Sequence, residues 1–408
     1  MAQTRPLKLD TFYDRGNPEP SALELLYAAR PDWKATPGRV RIEPLLGGVP
    51  NTILKITKDA PGKSESENDQ AAVVLRANGD EPNELLGLDR EAEARTHELL
   101  AQHGLASPLL VRFGNGLLYA YIPGRPCKPH DLCREEVWAS VAVKLGQFHA
   151  KLTRANDRIG SGGGGGGGPD VKMDMGGPAP NIWSTMQRWI NVLPTRTAEE
   201  KSLRLDLQTE LSWSFERLGR SKSSPGERAY VFGHCDLLSG NILIASAADD
   251  KAEPGKAAAA SRITPDRIRI IDYECAMYCP AAFDIANHFS EWGGFACDYT
   301  MLPGRTVRRE FIGRYLSSYG EHAGIVTADF ESAVSELAAS VDRFRGLPGL
   351  LWAVHAFVSV LESKVDFDWI PYANKRLAEY RAWKAHEDGV QPESGGEVSL
   401  RERMWARE

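Results

Sequence analysis

The fold is decided by one stretch of sequence, GHCDLLSGNILI at residues 233–244, in which a polar loop runs into an apolar strand. The loop places Asp236 and Asn241 five positions apart. Phosphoryl transfer requires a protein mainly to position groups and neutralise charge. Asp236 can hold an acceptor hydroxyl in line with a phosphate, and Asn241 can bind Mg²⁺ beside the phosphates. The alternative interpretation is a polar loop in which both residues only cap turns.

A second signal follows about thirty residues later, where an apolar strand ends in Asp272 and Glu274. The loop before it has the spacing HxDxxxxN, which matches the catalytic loop of eukaryotic-type kinases. In kinases, the strand after that loop delivers a metal-binding aspartate. Mg²⁺ takes few carboxylates and fills its other positions with phosphate oxygens and water. The sequence therefore predicts Asp272 as the main metal ligand, assisted by Asn241 and Glu274.

The next segment, PAAFDIANHFSEW, predicts a helix with a polar face. Asp284, Asn287, His288 and Glu291 fall at i, i+3, i+4 and i+7, so they share one side of the helix. Such a stripe suits a core helix only if it meets a polar ligand or a loop. We expect Glu291 to pair with a cationic acceptor and Asp284 to brace the catalytic loop. A solvent-exposed face is the alternative.

Upstream, the segment LLGGVPN lies between two predicted strands and resembles a glycine turn that covers a nucleotide. Its candidate nucleotide-binding residues are Gly47, Gly48 and Asn51, although a GG hairpin without that role is common. Backbone groups near Tyr121 and Ile122, just after a predicted hairpin, are candidates for hydrogen bonds to adenine.

Arg76 lies in the middle of the apolar strand segment VVLRA. An unpaired charge at such a position is costly, so Arg76 needs partners. The natural partners are the phosphates of ATP and a carboxylate on the next helix, for which Glu93 is the best candidate. A strand cation followed by a helix glutamate repeats the ion-pair arrangement of kinases, with arginine in place of lysine.

The order of predicted elements indicates an α+β protein with two lobes. Residues 1–125 read as strand, glycine turn, strand, strand, helix and hairpin, and predict a small antiparallel sheet that covers the nucleotide. Residues 126–408 are mainly helical and predict the catalytic and acceptor-binding lobe. Polar insertions are expected at 61–69, at 154–180 around a glycine tract, and in the low-complexity stretch 245–261.

The composition fits a cytoplasmic enzyme. The chain of 408 residues carries a net charge of −6 and contains six cysteines without metal-ligand spacing, which read as free thiols. This charge argues against binding to nucleic acid or to an anionic membrane surface. The N-terminus lacks the apolar core of a signal peptide, and the apolar stretch Leu347 to Leu361 is too short to span a bilayer. The oligomeric state is left open, a homodimer included.

The chain resembles the choline/ethanolamine kinases over about residues 21–380. The resemblance is carried by GHCDLLSGNILI and by IIDYECAMYCPAAFDIANHFSEWGGF at residues 270–295. It implies a two-lobed, protein-kinase-like fold and transfer of the γ-phosphate of ATP to an amino alcohol, a step in phospholipid synthesis. It also implies that Asp236 is the catalytic aspartate, that Asn241 and Asp272 bind magnesium, and that Arg76 contacts phosphate. Cys235 stands where the family usually has an asparagine.

Departures from the family bear on the acceptor. Its late aromatic positions correspond here to Trp352, His355, Phe367 and Tyr372. His355 replaces a second tryptophan, Cys275 a tyrosine, and Leu238 a glutamine common in choline kinases. A cage with two fewer rings binds a trimethylammonium less well, by up to ~2 kcal/mol per desolvated contact.

A primary ammonium can instead bind Glu291, so ethanolamine is the predicted acceptor, with choline or both as the alternative. An aminoglycoside-type or sugar phosphotransferase and a kinase-shaped binding protein without activity stay open. The amino-alcohol-like pocket argues against the first of these. The intact Asp236, Asn241 and Asp272 argue against the second.

Overall fold

The computed structural model describes residues 6–45, 51–79, 85–87, 90–160, 178–219, 225, 230–246, 262–363, 365–389 and 398–408. The chain divides into two compact units. The N-terminal unit comprises Met1–Asn83, Leu88–Arg125 and Lys364–Asp366, and the C-terminal unit comprises Glu84–Gly87, Pro126–Ser363 and Phe367–Glu408. The glycine tract at 162–168 and most of the low-complexity stretch lie outside the described residues.

The N-terminal unit is built on a six-stranded sheet with the order β1-β5-β6-β4-β3-β2. Its strands are β1 (Leu7–Lys8), β2 (Arg39–Pro44), β3 (Thr52–Asp59), β4 (Val73–Ala77), β5 (Leu109–Phe113) and β6 (Gly116–Ala120). Its helices are α1 (Pro18–Ala29), α2 (Pro31–Ala35), α3 (Glu65–Ala71) and α4 (Arg90–Gln102). The pairings are antiparallel except that of β1 with β5. The expected small sheet and the hairpin β5–β6 are confirmed.

Alternation along β4 places Arg76 away from the core of this sheet. Val73, Leu75 and Ala77 belong to one buried apolar cluster, together with residues of α1 such as Leu25. Side chains of successive residues point to opposite faces of a strand. Arg76 therefore faces the other side of the sheet, where its charge does not interrupt the core.

Helix α3 corrects one expectation. The segment 61–69 was predicted to be a solvated insertion, yet most of it forms a capped helix. The Ser64 side chain accepts a hydrogen bond from the Glu67 backbone N–H, and the Glu67 carboxylate accepts from the Ser64 N–H at 2.8 Å. This reciprocal cap satisfies donors that the start of a helix leaves unpaired, so a short polar segment can be helical.

The C-terminal unit is mainly helical. Its helices are α5 (Pro129–Leu132), α6 (Glu135–Gly160), α7 (Ile182–Val192), α8 (Ala198–Leu218), α9 (Ala281–Ser290), α10 (Arg305–Ala323), α11 (Phe330–Phe344), α12 (Leu347–Glu362), α13 (Trp369–Glu387) and α14 (Leu400–Ala406). Its short strands are β8 (Val231–Gly233), β9 (Ile242–Ala245), β10 (Ile268–Ile270) and β11 (Met277–Cys279), and strand β7 (Gly124–Pro126) lies at the chain boundary between the units. All ten residues of α9 are buried.

One stretch, Phe330–Glu362, is long and apolar enough to cross a membrane by length and composition. Its most apolar window is 83% buried inside the protein, as in the core helices of soluble proteins. It comprises α11 and α12, which are separated by a short break.

Candidate active site

Two antiparallel strand pairs hold the two loops that carry the predicted catalytic and metal-binding residues. Gly233 at the end of β8 pairs with Met277 of β11, and Ile242 at the start of β9 pairs with Ile270 of β10. Residues 234–241 and 271–276 are therefore neighbouring loops, each anchored at both ends. The Ile271 N–H donates to the Asn241 carbonyl at 3.0 Å. The pairing thus brings Asn241 next to the segment that carries Asp272.

Inside the catalytic loop, Asn241 binds Asp236. The Asn241 side-chain nitrogen donates to the Asp236 carbonyl at 2.8 Å and to its Oδ2 at 3.0 Å. His234 connects the two loops, because its Nε2 donates to the Ile271 carbonyl at 3.0 Å and its Nδ1 accepts from the Asp236 N–H at 3.3 Å. A carbonyl can only accept, so these partners define one neutral tautomer of His234. Burial lowers the pKa of His234, in agreement with that form.

Asp284 of α9 braces the catalytic loop, as expected from the sequence. Its Oδ2 accepts from the His234 N–H at 3.0 Å, and its Oδ1 accepts from the Cys235 N–H at 2.8 Å. His149 of α6 adds a bond to Asp284 Oδ2 at 2.8 Å. Burial would raise the pKa of Asp284, but the bond and charge of His149 hold it below its usual value. Asp284 is therefore a buried anion that organises the loop.

The next two polar residues of α9 also bind the loop. The Asn287 side chain donates to the Cys235 carbonyl at 2.9 Å, and His288 Nδ1 donates to the Leu237 carbonyl at 2.8 Å. His288 Nε2 accepts from the Trp292 indole N–H at 3.2 Å. These two partners require a neutral imidazole, and burial lowers the pKa of His288 to about 4. The polar face of α9 thus meets a loop and not solvent.

A donor set suited to a hard cation is offered by Asp236, Asp272, Glu274 and Asn241. A carboxylate oxygen of Asp272 lies within 4.8 Å of one of Glu274. Burial raises the pKa of the half-buried Asp236 well above its usual value, and the negative charges of Asp272, Glu291 and Glu274 raise it further. Asp272 has a backbone φ of +66°, a strained conformation for a residue other than glycine. Crowded carboxylate and amide oxygens of this kind fit Mg²⁺.

In the N-terminal unit, Arg76 has the predicted carboxylate partner. Arg76 Nη1 lies 2.6 Å from Glu93 Oε1, and the other oxygen of Glu93 lies 3.1 Å from Arg90 Nη1. With its amide oxygen turned toward Arg76, Asn51 accepts from Arg76 Nη2 at 2.9 Å. Two arginines therefore share one glutamate here. A guanidinium group is well suited to bind a phosphate ligand.

The structure describes only some of the other residues that were predicted to contact the nucleotide. Gly47 and Gly48 lie outside the described residues. The Tyr121 backbone N–H donates to the Ala72 carbonyl at 2.9 Å, so this group is already engaged. Adenine binding by the Tyr121 carbonyl or by Ile122 stays a prediction.

Glu291 is buried and has a charged partner within the protein. Arg376 Nη2 of α13 donates to Glu291 Oε1 at 2.8 Å. Burial raises the pKa of Glu291, and the charge of Arg376 counteracts that rise. Among the described residues, the other oxygen, Oε2, has no hydrogen-bond partner. The predicted pairing of Glu291 with a cationic acceptor stays a prediction, and sequence reasoning missed Arg376.

The late aromatic residues form one continuous cluster, and it contains rings that the sequence did not single out. Successive ring centroids along Trp352, His355, Trp369, Phe367 and Tyr372 are 5.3, 6.2, 4.8 and 5.5 Å apart. Phe295 adds a ring 5.9 Å from Phe367. Trp369 and Phe295 were missed because their signal was only their closeness in sequence to Phe367 and Glu291.

This cluster is connected to the catalytic loop at one end and to Glu291 at the other. The Trp352 indole N–H donates to Asn287 at 2.8 Å, and Asn287 binds the residue before Asp236. At the other end, the guanidinium of Arg376 lies 5.8 Å from the ring centre of Tyr372 and also binds Glu291. The aromatic cluster is therefore linked to the catalytic loop through Asn287 and to Glu291 through Arg376.

Comparison with known proteins identifies the chain at the level of its family. The family described as choline/ethanolamine kinase matches residues 42–381. The chain belongs to the choline/ethanolamine kinase family. It is therefore a kinase that uses a nucleotide, and the family acts on small amino alcohols.

Ethanolamine kinases are among the similar sequences. Ethanolamine kinase 2 of Mus musculus is 30% identical over 367 residues, which cover 88% of this chain and 80% of the relative. A probable ethanolamine kinase of Arabidopsis thaliana is 27% identical, covering 84% of this chain and 79% of that protein.

Solved structures of the same family share the fold. An ethanolamine kinase of Plasmodium vivax superimposes with a TM-score of 0.61 at 21% identity, covering 90% of each chain. A choline kinase of Cryptosporidium parvum gives a TM-score of 0.61 at 20% identity, covering 91% of this chain and 98% of that one. These matches confirm the predicted protein-kinase-like fold.

Proposed function

We propose that the protein transfers the γ-phosphate of ATP to the hydroxyl of ethanolamine, giving phosphoethanolamine for phosphatidylethanolamine synthesis in the cytoplasm. The observation that carries the proposal is the position of Asp236. Its carboxylate accepts a hydrogen bond from Asn241, and the charges of Asp272, Glu274 and Glu291 all act on it. Similarity to several ethanolamine kinases supports this acceptor.

The metal and phosphate roles follow from the donor set. Asp272, Asn241 and Glu274 would hold Mg²⁺, which when bound supplies neutralisation of the β- and γ-phosphate charge. The Arg76 guanidinium would stabilise the charge that spreads over the phosphoryl oxygens. Asn51, Gly47 and Gly48 would cover the phosphates, and Tyr121 and Ile122 would bind the adenine.

Asp236 would orient the acceptor hydroxyl and take its proton. Asn241 fixes the Asp236 carboxylate through Oδ2, which keeps Oδ1 for the substrate. Burial and neighbouring carboxylates raise the pKa of Asp236, and a raised pKa makes a carboxylate a better proton acceptor. The four backbone bonds from α9 hold this loop in place before substrate binds.

The acceptor ammonium would lie between Glu291 Oε2 and the aromatic rings of Trp352, Phe367 and Tyr372. A primary ammonium can donate hydrogen bonds to Glu291, whereas a trimethylammonium cannot and depends on aromatic faces. His355 packs against Trp352 and is neutral, since burial lowers its pKa to about 4. An imidazole in place of an indole therefore favours ethanolamine.

Choline phosphorylation is the second candidate, and one observation favours it. Trp369 and Phe295 extend the aromatic cluster beyond the rings that correspond to the family positions. These rings could replace the missing aromatic surface and bind a quaternary ammonium. The order of preference is therefore the quantity to measure.

The test is ATP consumption by the purified protein with Mg²⁺, comparing ethanolamine and choline at matched concentrations. A kcat/KM that favours ethanolamine tenfold or more, about 1.4 kcal/mol, supports the proposal. Equal or reversed preference would leave a kinase but refute the acceptor assignment. In parallel, Asp236→Ala should abolish turnover while ATP binding, measured by calorimetry, is retained.

A further inference from the structure

The C-terminal helix α14 packs against the end of α9, which leads into Glu291. This helix lies beyond residues 42–381, the region matched by the family. Arg401 of α14 donates to the Ser290 hydroxyl at 3.3 Å, and the ring of Trp405 lies 6.3 Å from that of Phe289. Ser290 and Phe289 immediately precede Glu291, so α14 supports the backbone that carries this carboxylate.

A buried chain of ion pairs also joins α14 to Glu291. Arg376 binds Glu291 at 2.8 Å and lies 3.5 Å from Glu379, and Arg401 lies 3.7 Å from the same oxygen of Glu379. The side chains of these four residues are at most 4% exposed. We call this set, Glu291–Arg376–Glu379–Arg401, the ion-pair chain. With so little solvent screening, a change of charge at one end acts on the other.

A second set of contacts anchors α14 through the indole N–H, the ring and the backbone of Trp405. The Trp405 indole N–H donates to Asp342 at 2.7 Å, and the Trp405 carbonyl accepts from Arg308 at 2.8 Å. The Arg308 guanidinium also lies over the Trp405 ring at 4.2 Å. Attachment of the helix and its electrostatic connection to Glu291 can therefore be perturbed separately.

We propose that α14 is a positioning element of the acceptor site, in which Arg401 maintains the orientation and ionisation of Glu291 through Glu379 and Arg376. Arg401 is a positioning residue, since it acts through other side chains. The inference rests on the proposed function, because it takes Glu291 as the group that binds the acceptor ammonium. It adds to that site a segment outside the family match.

The charges around Glu291 predict in which direction its pKa should move when one of them is removed. The charged and titratable groups that act on Glu291 or are coupled to it are Arg376, Glu379, Arg401, Asp236, Tyr372 and Cys297. Burial raises the pKa of Glu291, Arg376 and Arg401 lower it, and Glu379 raises it. Loss of Arg401 and loss of Glu379 should therefore move the ionisation of Glu291 in opposite directions.

The experiment measures kcat/KM for ethanolamine against pH in the full-length protein and in the variants Arg401→Met and Glu379→Gln. The acid limb of the profile should move to higher pH in R401M and to lower pH in E379Q. At neutral pH, R401M should raise the KM for ethanolamine about tenfold and leave the KM for ATP unchanged. Arg401→Lys keeps the charge and should restore the wild-type acid limb.

Trp405→Phe is the matched control, because it removes the indole bond to Asp342 but keeps an aromatic ring beside Arg401, whose guanidinium lies 5.7 Å from the ring centre. It should lower the melting temperature without moving the pH profile. Acid limbs that shift in the same direction in R401M and E379Q, or stay unchanged in both, would overturn the inference. If R401M does not fold, the direction of the E379Q shift decides alone.

A Glu291→Gln variant separates this inference from the proposed function. A raised KM for ethanolamine in E291Q, with unaltered R401M and E379Q profiles, would refute only the role of α14. An unchanged KM in E291Q would refute the assignment of Glu291 to the ammonium, and the inference with it.

Discussion

The cluster around Arg76 in the N-terminal unit and the loop that carries Asp236 in the C-terminal unit are positioned in different ways. Arg76 is held by charged and amide side chains, and its partner Glu93 has a second arginine beside it. The catalytic loop is held by backbone hydrogen bonds to side chains of a fully buried helix. The Arg76 cluster can lose one partner without loss of the fold. In the second arrangement, the same residues of α9 both position the catalytic loop and fill the core.

The largest effect, on stability, should come from replacing Asp284, which holds the catalytic loop to α9. In Asp284→Asn, the side-chain amide would face one of the two backbone N–H groups that the carboxylate now accepts from, and His149 would lose its anionic partner. We expect the free energy of unfolding to fall by about 3–5 kcal/mol, because a buried charge partner is removed. Urea unfolding measures this loss.

The control for Asp284→Asn is Asp298→Asn. Asp298 is exposed and caps a turn by accepting from the Thr300 N–H at 3.0 Å. Asparagine caps nearly as well as aspartate, so the free energy of unfolding should stay close to that of the wild type. A loss below about 1 kcal/mol in the Asp284 variant would contradict the claim that α9 holds the loop.

A smaller effect, on catalysis and not on stability, is expected at Arg76. Arg76→Met should lower kcat/KM for ATP about a hundredfold, or about 2.7 kcal/mol, because a cation at the phosphates is lost. Its stability should fall by much less, since Glu93 keeps Arg90 as a partner. Steady-state kinetics and urea unfolding of the same sample compare the two quantities.

Arg41→Met is the matched control in the same sheet. Arg41 pairs with Asp59 at 2.9 Å, and their side chains are 34% and 41% exposed. Exposed pairs contribute little, so neither stability nor kinetics should change appreciably. A kinetic loss in R41M as large as that in R76M would show that the sheet, and not the Arg76 charge, is responsible.

The third effect is a pH dependence of stability that originates at His288. Its pKa is lowered from 6.5 to about 4 in the folded protein. The unfolded chain therefore binds the proton more readily, and this stabilisation is complete above 6.5 and is lost as pH falls toward 4. The slope contributed by His288 should be about 1.4 kcal/mol per pH unit within that window.

Urea unfolding between neutral and mildly acidic pH tests this contribution. Glutamine at position 288 can donate to the Leu237 carbonyl and accept from Trp292 without titrating. His288→Gln should therefore be less sensitive to acid than the wild type. Equal slopes in both proteins would show that His288 does not carry the dependence.

The smallest effect concerns the acceptor. His355→Trp combined with Cys275→Tyr should shift the kcat/KM ratio toward choline by about fivefold, or about 1 kcal/mol, because two aromatic faces are added. Competition between the two amines measures the ratio directly. An unchanged ratio in a variant with normal stability would refute the aromatic explanation of specificity.

The fold class could be predicted from the sequence because short-range patterns reveal it. The proposed catalytic set rests on the same kind of pattern, namely the spacing of Asp236 and Asn241 and a strand that ends in Asp272. The prediction that Asp284 braces the loop was confirmed because helical periodicity identified a polar stripe that needed a partner. The pairing of Arg76 with Glu93 was confirmed for a similar reason, since one buried charge calls for another.

What the sequence did not reveal depends on contacts between distant segments. Arg376 lies 85 residues after Glu291, and no local pattern indicates which faces of their two segments meet. Arg401 lies outside the region matched by the family, and no sequence pattern around it indicates a contact with the site. The aromatic continuity from Trp352 to Tyr372 through Trp369 likewise requires the packing of α12 against α13.

Cys235 stands where the family usually has an asparagine. The backbone conformation at this position explains why asparagine is preferred there. Cys235 has a φ of +60°, in the left-handed region that asparagine tolerates better than most residues. The two bonds from Asp284 and Asn287 keep Cys235 in this conformation. The bonds from α9 therefore accommodate this departure from the family.

The amide protons of His234 and Cys235 are bonded to a carboxylate on α9 and not to a neighbouring strand. Their exchange with solvent deuterium therefore requires that helix to open or move away. These two amides should exchange with the same opening free energy as the interior amides of α9. The catalytic loop, although it lacks regular secondary structure, would then be among the slowest-exchanging parts of the protein.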